Sequence, residues 1–168
     1  IFAQEYAIRF PTRLSKLVLA ATTAGGAGGS SYPVETLLHL DPIDRARRSL
    51  QVSDRRFARL EEQEPTQAAQ KVQKRMTAQT RFSHETHAQR GLDAQLAARA
   101  EHDCYDRLAR IGVPTLVLIG EDDMQAPVDA QNRIASQIPD ATKQVVRGAH
   151  NFLFEGNKGY QAIADFLQ

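Results

Sequence analysis

The sequence has little of what several broad classes of protein need. A single cysteine, Cys104, excludes an intramolecular disulfide framework and is typical of a protein kept in the reducing cytoplasm. The net charge is only +1, so there is no electrostatic basis for binding nucleic acid or an anionic membrane surface. No apolar run approaches the roughly 18 residues that a membrane span needs. What remains is ordinary for one globular domain: 168 residues, 42% of them apolar and 24% charged.

The chain then divides into stretches of different composition. Residues 1–10 carry an apolar helical stripe that Pro11 ends, and residues 14–21 form a short apolar run typical of a buried strand. A glycine-rich loop follows at residues 22–33. Residues 34–110 are rich in Arg, Gln, Glu and Ala and poor in β-branched side chains, so they predict several helices. These are expected at residues 34–40, 42–50, 53–62, 65–79 and 84–99, with starts at Asp41-Pro42 and Ser53-Asp54.

The last third of the chain alternates strands and helices. It predicts a strand, a helix, a strand and a helix, in that order, at residues 115–120, 128–138, 142–146 and 160–167. This order is typical of an α/β fold with a parallel sheet. Functional residues in such folds lie in the loops after the carboxyl ends of the strands. The loops after Ile119 and Val146 therefore hold the candidate site.

Those two loops contain Glu121-Asp122-Asp123 and His150. A carboxylate beside an imidazole fixes the ring's tautomer and orientation, and the imidazole can then take a proton from a nucleophile or a water. The spacing alone is a moderate signal, because many α/β proteins have an Asp and a His in loops. The pattern favours an Asp–His pair without yet choosing the carboxylate.

Two other features have plainer interpretations. The glycine-rich loop lacks both the G-x-x-x-x-G-K-[ST] and the G-x-G-x-x-G pattern, which favours a hinge or pocket-lining loop over a nucleotide site. The arginine clusters at residues 45–48 and 55–56 have acidic neighbours in the sequence. A solvated helix face is therefore expected there, in preference to an anion site.

Several segments resemble the α/β-hydrolase family, in the family's own order. VPTLVLIGEDD at residues 113–123, followed by Ala126-Pro127, resembles the family's strand and acid loop. Residues 1–19 resemble the helix after the family's nucleophile elbow and the strand that follows it. The resemblance covers roughly residues 1–25 and 103–168 and is closest to the enol-lactonase and haloperoxidase-like branch. Further matches are IASQIPDA, GAH and IADFL at residues 134–141, 148–150 and 163–167.

The resemblance implies a domain arrangement. Residues 1–30 and 103–168 would form a partial α/β-hydrolase core with a parallel sheet and flanking helices, and residues 31–102 a helical cap. Hydrophobic side chains of the cap would set the shape of the substrate, among them Phe57, Leu60, Met76 and Phe82. The histidines of this stretch are expected in cap or surface roles: His39, His84, His87 and His102. His84 and His87 are three residues apart and so do not form the metalloprotease motif, which needs four.

The resemblance also implies roles for individual residues. The family places its triad acid three residues after the glycine that ends the strand, here Gly120, which assigns the acid to Asp123 and leaves Asp122 as the competitor. His150 corresponds to the catalytic base. Glu155 is expected to be a structural partner for the closing loop. No metal and no redox cofactor are implied.

The sequence lacks the family's nucleophile motif. No Gly-x-Ser-x-Gly occurs in it, and the helix at Ile1 resembles a helix whose elbow would lie about four residues upstream. We therefore expect a hydrolase of a small ester, lactone or thioester, completed by an N-terminal half of the same protein or by another copy. The alternatives are a non-catalytic binding or assembly module, and a dehalogenase or epoxide hydrolase if the nucleophile is Asp.

Overall fold

The computed structural model describes residues 1–81 and 85–168, and in this part of the chain three parallel strands form one sheet. The strands are β1 (Leu17–Ala20), β2 (Thr115–Gly120) and β3 (Ala141–Val146), in the order β1-β2-β3. Every residue of β2 is buried, because this apolar strand lies between the other two. The predicted α/β fold with a parallel sheet is confirmed.

Helices surround the sheet and form the middle of the chain. The α-helices are α1 (Phe2–Arg9), α2 (Pro42–Ser53), α3 (Phe57–Gln63), α4 (Pro65–Thr80), α5 (Ala88–Ala100), α6 (Val128–Gln137) and α7 (Lys158–Leu167). Short 3-10 helices are formed by Pro11–Arg13, Gly26–Gly28, Val34–His39, Tyr105–Arg110 and Phe152–Phe154. In the described residues, no helix combines the length and the apolar character that crossing a bilayer requires.

The helix boundaries follow local chemistry. The predicted start at Asp41-Pro42 is confirmed, since Asp41 Oδ1 accepts hydrogen bonds from the backbone N–H groups of Ile43 and Asp44. The predicted helix 53–62 is wrong at its beginning, because α2 continues to Ser53 and α3 starts only at Phe57. The helix predicted at residues 34–40 is a 3-10 helix, Val34–His39. The predicted helix 84–99 begins at Ala88, and position 84 lies outside the described residues.

The two faces of the sheet are packed separately. Alternate residues of β2 point to opposite faces, as the period of a strand requires. Val117 and Ile119 pack with residues of α1 and α6, and Leu116 and Leu118 pack with Phe152 and with α7. The loops at the carboxyl ends of the strands are therefore held between two packed helical layers.

The helical stretch between β1 and β2 has a core of its own. Phe57 is buried against residues of α2 and α4, and Leu60 and Met76 pack against the same cluster. These three side chains belong to the interior of the helical segment, and none of them lines the cavities described below, against the expectation that they shape a substrate. Phe82, named with them, lies outside the described residues.

Candidate active site

The loops after β2 and β3 are joined by backbone hydrogen bonds. Glu121 N–H donates to Val146 O over 3.0 Å, and Asp122 N–H donates to Gly148 O over 2.9 Å. Gly120 allows this approach, since a Cβ there would lie 2.6 Å from the carbonyl oxygen of the second loop's alanine. The strand-ending glycine of the sequence thus brings the carboxylate loop against the histidine loop.

Asp123 and His150 meet between these loops. His150 Nδ1 lies 3.0 Å from Asp123 Oδ2, and the Asp123 side chain is completely buried. The other carboxylate oxygen accepts hydrogen bonds of 2.8 Å from the backbone N–H groups of Gln125 and Ala126. Three hydrogen bonds therefore fix the carboxylate in a position from which it orients the imidazole.

The opposite nitrogen of the ring faces a polar side chain. Gln125 Nε2 lies 2.7 Å from His150 Nε2, so in the tautomer that donates Nδ1–H to Asp123 the ring accepts from the Gln125 amide. The His150 side chain is about one fifth exposed, and the backbone N–H of His150 donates to Ser53 O over 3.0 Å. Sequence reasoning did not identify Gln125, although a polar residue two positions after Asp123 was a signal.

Asp122 points elsewhere. Its carboxylate accepts from Arg55 Nε over 2.7 Å and lies 3.2 Å from Arg56 Nε. Of the two carboxylates that the sequence leaves in competition, Asp123 contacts His150, and Asp122 holds the segment between α2 and α3.

Arg55 and Arg56 are exposed, as expected of solvated side chains, but they lie in the turn between α2 and α3 and pair with the distant Asp122. Arg56 also pairs with Asp54 and with Glu155, which places the closing-loop carboxylate in contact with the helical segment. The hydrogen bonds that Arg56 donates to Asp54 raise the pKa of its guanidinium, and the charge of Asp122 adds to the effect. These pairs join residues 67 and 99 positions apart in the chain, so local charge patterning could not reveal them.

A cavity of about 140 Å³ adjoins the imidazole. Its wall includes Thr22, Thr23 and Ser31 of the glycine-rich loop, together with Gln125 and His150. The prediction of a pocket-lining loop is confirmed by this position. The loop turns through Gly25, whose φ of 74° and close approach to a backbone carbonyl exclude a side chain.

A second polar cluster lies under α1. His102 Nε2 is 3.0 Å from Gln4 Oε1 and 3.4 Å from Cys104 Sγ, so His102 joins buried groups and does not have the surface role expected of it. Burial lowers the pKa of His102 and raises that of the Cys104 thiol to about 11. Glu5, His102 and Cys104 have ligand atoms within 4.8 Å of one another, but Arg107 already occupies both oxygens of Glu5. His39 and His87 are exposed.

Residues 1–157 match the family model of the alpha/beta hydrolase fold. The chain belongs to this family. The match includes residues 1–19, β2, the acid loop and His150, and it ends before residues 163–167, the last segment on which the resemblance rested.

Individual members of the α/β-hydrolase family are similar over nearly all of the chain. A poly(3-hydroxyalkanoate) depolymerase from Ectopseudomonas oleovorans is 28% identical over 153 residues, which is 90% of this chain and 51% of the relative. A hydrolase from Pseudomonas aeruginosa PA01 superposes with a TM-score of 0.70 at 24% identity, and an enol-lactonase from Burkholderia xenovorans LB400 with 0.70 at 18%. Both superpositions cover 98% of this chain and 60% of the other. The chain spans about half the length of the curated relative that it matches.

A bromoperoxidase from Bacillus anthracis also superposes, with a TM-score of 0.68 at 16% identity over 98% of this chain and 62% of that protein. Both kinds of protein named in the resemblance, lactonase and haloperoxidase, thus occur among the structural neighbours. At such identities the likeness shows the shared fold alone.

Proposed function

We propose that the protein hydrolyses a small ester, lactone or thioester, with His150 as the general base and Asp123 as the acid that orients it. The observation that carries this proposal is the 3.0 Å contact between His150 Nδ1 and the buried Asp123 carboxylate at the ends of two parallel strands. The nucleophile would come from sequence upstream of Ile1, where the family has its elbow.

The reaction follows from the direction of the two ring nitrogens. Donation of Nδ1–H to Asp123 leaves the lone pair of His150 Nε2 free to take the proton of a nucleophilic hydroxyl as it attacks the carbonyl carbon. The imidazolium then lies against the fixed carboxylate, which stabilises its charge until the proton passes to the leaving oxygen or sulfur. Because Gln125 contacts the same Nε2, the nucleophile must displace or share this contact during turnover.

The relatives support ester-type chemistry. One is named for a poly(3-hydroxyalkanoate), which is a polyester, and another for an enol-lactone, which is a cyclic ester. If the nucleophile proves to be Asp instead of Ser, the same His150 would serve a dehalogenase or epoxide hydrolase. A binding or assembly module without hydrolytic activity remains the alternative of a different class.

The same proposal includes the domain arrangement, with residues 31–102 as a cap on a core of residues 1–30 and 103–168. The separate hydrophobic cluster of the helical stretch supports it. So do the contacts of Ser53 and Arg55, which bind the cap to the histidine loop and the acid loop.

We further propose that β1 pairs with a strand outside this sequence, from an N-terminal half or another copy. Within the described residues β1 lies at the edge of the sheet, and an apolar edge strand tends to form backbone hydrogen bonds with a further strand. Exposed aromatic rings on the neighbouring α1 support the proposal that a partner covers this surface, since Phe2 is 78% and Tyr6 is 45% exposed.

The test is the hydrolysis of p-nitrophenyl acetate by the complete protein. His150→Ala should lower kcat by roughly 10³-fold or more, because the general base is lost. His39→Ala is the matched control, since this histidine is exposed in the cap, and it should keep the wild-type rate. An active His150→Ala variant would remove the proposed mechanism.

A further inference from the structure

The helical segment encloses a second cavity, of about 360 Å³. Its apolar wall consists of leucines from the 3-10 helix Val34–His39 and from α5. The polar part of the wall contains Ser49, Gln79 and Gln125 and one arginine from each of α2, α4 and α5: Arg45, Arg75 and Arg99. A cavity with an apolar wall and guanidinium groups is suited to a ligand that has an apolar chain and an anionic end.

These three arginines have no carboxylate partner in the parts of the chain that the structure describes. Arg75 donates through Nε and Nη2 to the hydroxyl of Ser49, over 3.0 and 2.7 Å. Arg99 donates to the carbonyl of Tyr32 over 2.9 Å. Positions 82–84 are Phe, Ser and His, so they add no carboxylate to the sequence.

Arg45 is held in the same way. Its Nη2 donates to the carbonyls of Leu38 and Leu40, and its Nε is buried without a hydrogen-bond partner. Arg47 lies two residues further along α2, and it pairs with acids as surface arginines usually do. The three cavity arginines therefore differ from the surface arginine Arg47 both in their position and in bonding to neutral oxygens instead of carboxylates.

Burial without a counter-charge is unfavourable for a cation. It lowers the pKa of Arg75 and of Arg99, and the charge of Glu35 offsets part of the effect at Arg99. An anion that binds among these groups would remove that cost and make charge-assisted hydrogen bonds, which are the strong ones.

The cavity also lies next to the smaller cavity beside the catalytic pair. Gln125 and Arg99 line both this cavity and the smaller one beside His150. Since Gln125 contacts His150 Nε2, a ligand anchored among the arginines would extend along the leucines toward the imidazole.

We propose that this cavity binds a carboxylate at the far end of the substrate's acyl chain, so that the substrate is an ester, lactone or thioester of a dicarboxylic acid. The inference rests on the proposed hydrolase function and deepens it. The guanidinium of Arg75 would bind the terminal carboxylate through paired N–H donors, and the leucines would cover the methylene groups between the two ends.

The kinetic test compares matched esters in the complete protein. Mono-p-nitrophenyl esters of glutarate, adipate and pimelate carry the carboxylate, and p-nitrophenyl hexanoate does not. Arg75→Gln should lower kcat/KM for the best of the acidic esters by about tenfold or more, mainly through KM, and leave hexanoate within about twofold. Lys71→Gln is the control, because this exposed lysine lies one turn away on α4.

Titration calorimetry with free glutarate, adipate and pimelate separates the two proposals. Binding that weakens about tenfold in Arg75→Gln but not in Lys71→Gln supports the carboxylate site, even if no ester is cleaved and the hydrolase function fails. The carboxylate site is overturned if the protein cleaves acidic and neutral esters equally well and Arg75→Gln does not change the binding of any of the three diacids. The hydrolase function would then still be supported. Circular dichroism of each variant confirms that it is folded.

Discussion

The ion pairs of Asp122 with Arg55 and Arg56 give a quantitative prediction about how the turn between α2 and α3 is attached to the loop after β2. The Asp122 side chain is 9% exposed, while those of Arg55 and Arg56 are 61% and 41% exposed. In Asp122→Asn the Arg55 guanidinium returns to water, Arg56 keeps its contacts with Asp54 and Glu155, and the buried negative charge is removed. No uncompensated charge is left inside the protein, so the loss should be moderate.

The magnitude follows from the contacts. The hydrogen bond from Arg55 to Asp122 would contribute about 1.5–3 kcal/mol if both partners were buried, and the ion pair with Arg56 adds to it. Exposure of both arginines reduces this strongly, because water screens and competes for them. We therefore expect Asp122→Asn to lower the free energy of unfolding by about 1–2 kcal/mol in total.

Urea denaturation of wild type, Asp122→Asn, Arg55→Gln and the double variant forms a double-mutant cycle. The coupling free energy between Arg55 and Asp122 should be about 0.5–1 kcal/mol, with unchanged m-values. Glu62→Gln, which changes an exposed acid of α3, should leave the midpoint where it is. A coupling free energy within about 0.3 kcal/mol of zero would refute the view that this pair holds the turn between α2 and α3 against the loop after β2.

Two further predictions concern the cluster under α1. Hydrogen bonds from Arg107 hold the pKa of Glu5 below its usual 4.5, so the pair stabilises the fold above that pH and loses its effect as pH falls through the lowered value. The gap in urea midpoint between wild type and Arg107→Gln should thus be constant near neutral pH and shrink below about pH 4.5; a gap that widens in acid contradicts the assignment. Since burial raises the Cys104 pKa to about 11, iodoacetamide at pH 8 should label it far more slowly in the native protein than in urea, as peptide mapping can show. Equal labelling rates in the two conditions would contradict a buried thiol.

The sequence was informative about the sheet and the candidate site because both depend on local pattern. The buried run of β2 and the loops at its end and at the end of β3 could be predicted from apolar periodicity and glycines. The choice between Asp122 and Asp123 could not be made from composition, because it depends on which way each side chain leaves a tight turn. The family resemblance favoured Asp123, and the contact with His150 agrees with it.

What the sequence did not reveal are contacts between distant segments. Arg55 and Asp122 are 67 positions apart, and His102 and Gln4 are 98 apart. An arginine next to an acid in the sequence looks like a surface pair, and nothing local shows that the turn between α2 and α3 lies on the acid loop. Likewise the three cavity arginines come from three helices, so only packing shows that they share a wall without a carboxylate.

The catalytic role of the Asp123–His150 pair is tested most directly by kcat of Asp123→Asn beside Asp122→Asn, measured on the complete protein below the unfolding transition of either variant. Asp123→Asn should lose roughly 10³–10⁴-fold in kcat, because the ring is no longer held in the tautomer that accepts a proton at Nε2. Asp122→Asn should retain kcat within a few-fold, since its carboxylate contacts Arg55 and Arg56 while His150 contacts Asp123. Turnover that survives in Asp123→Asn, or that is lost equally in both variants, would contradict the assignment.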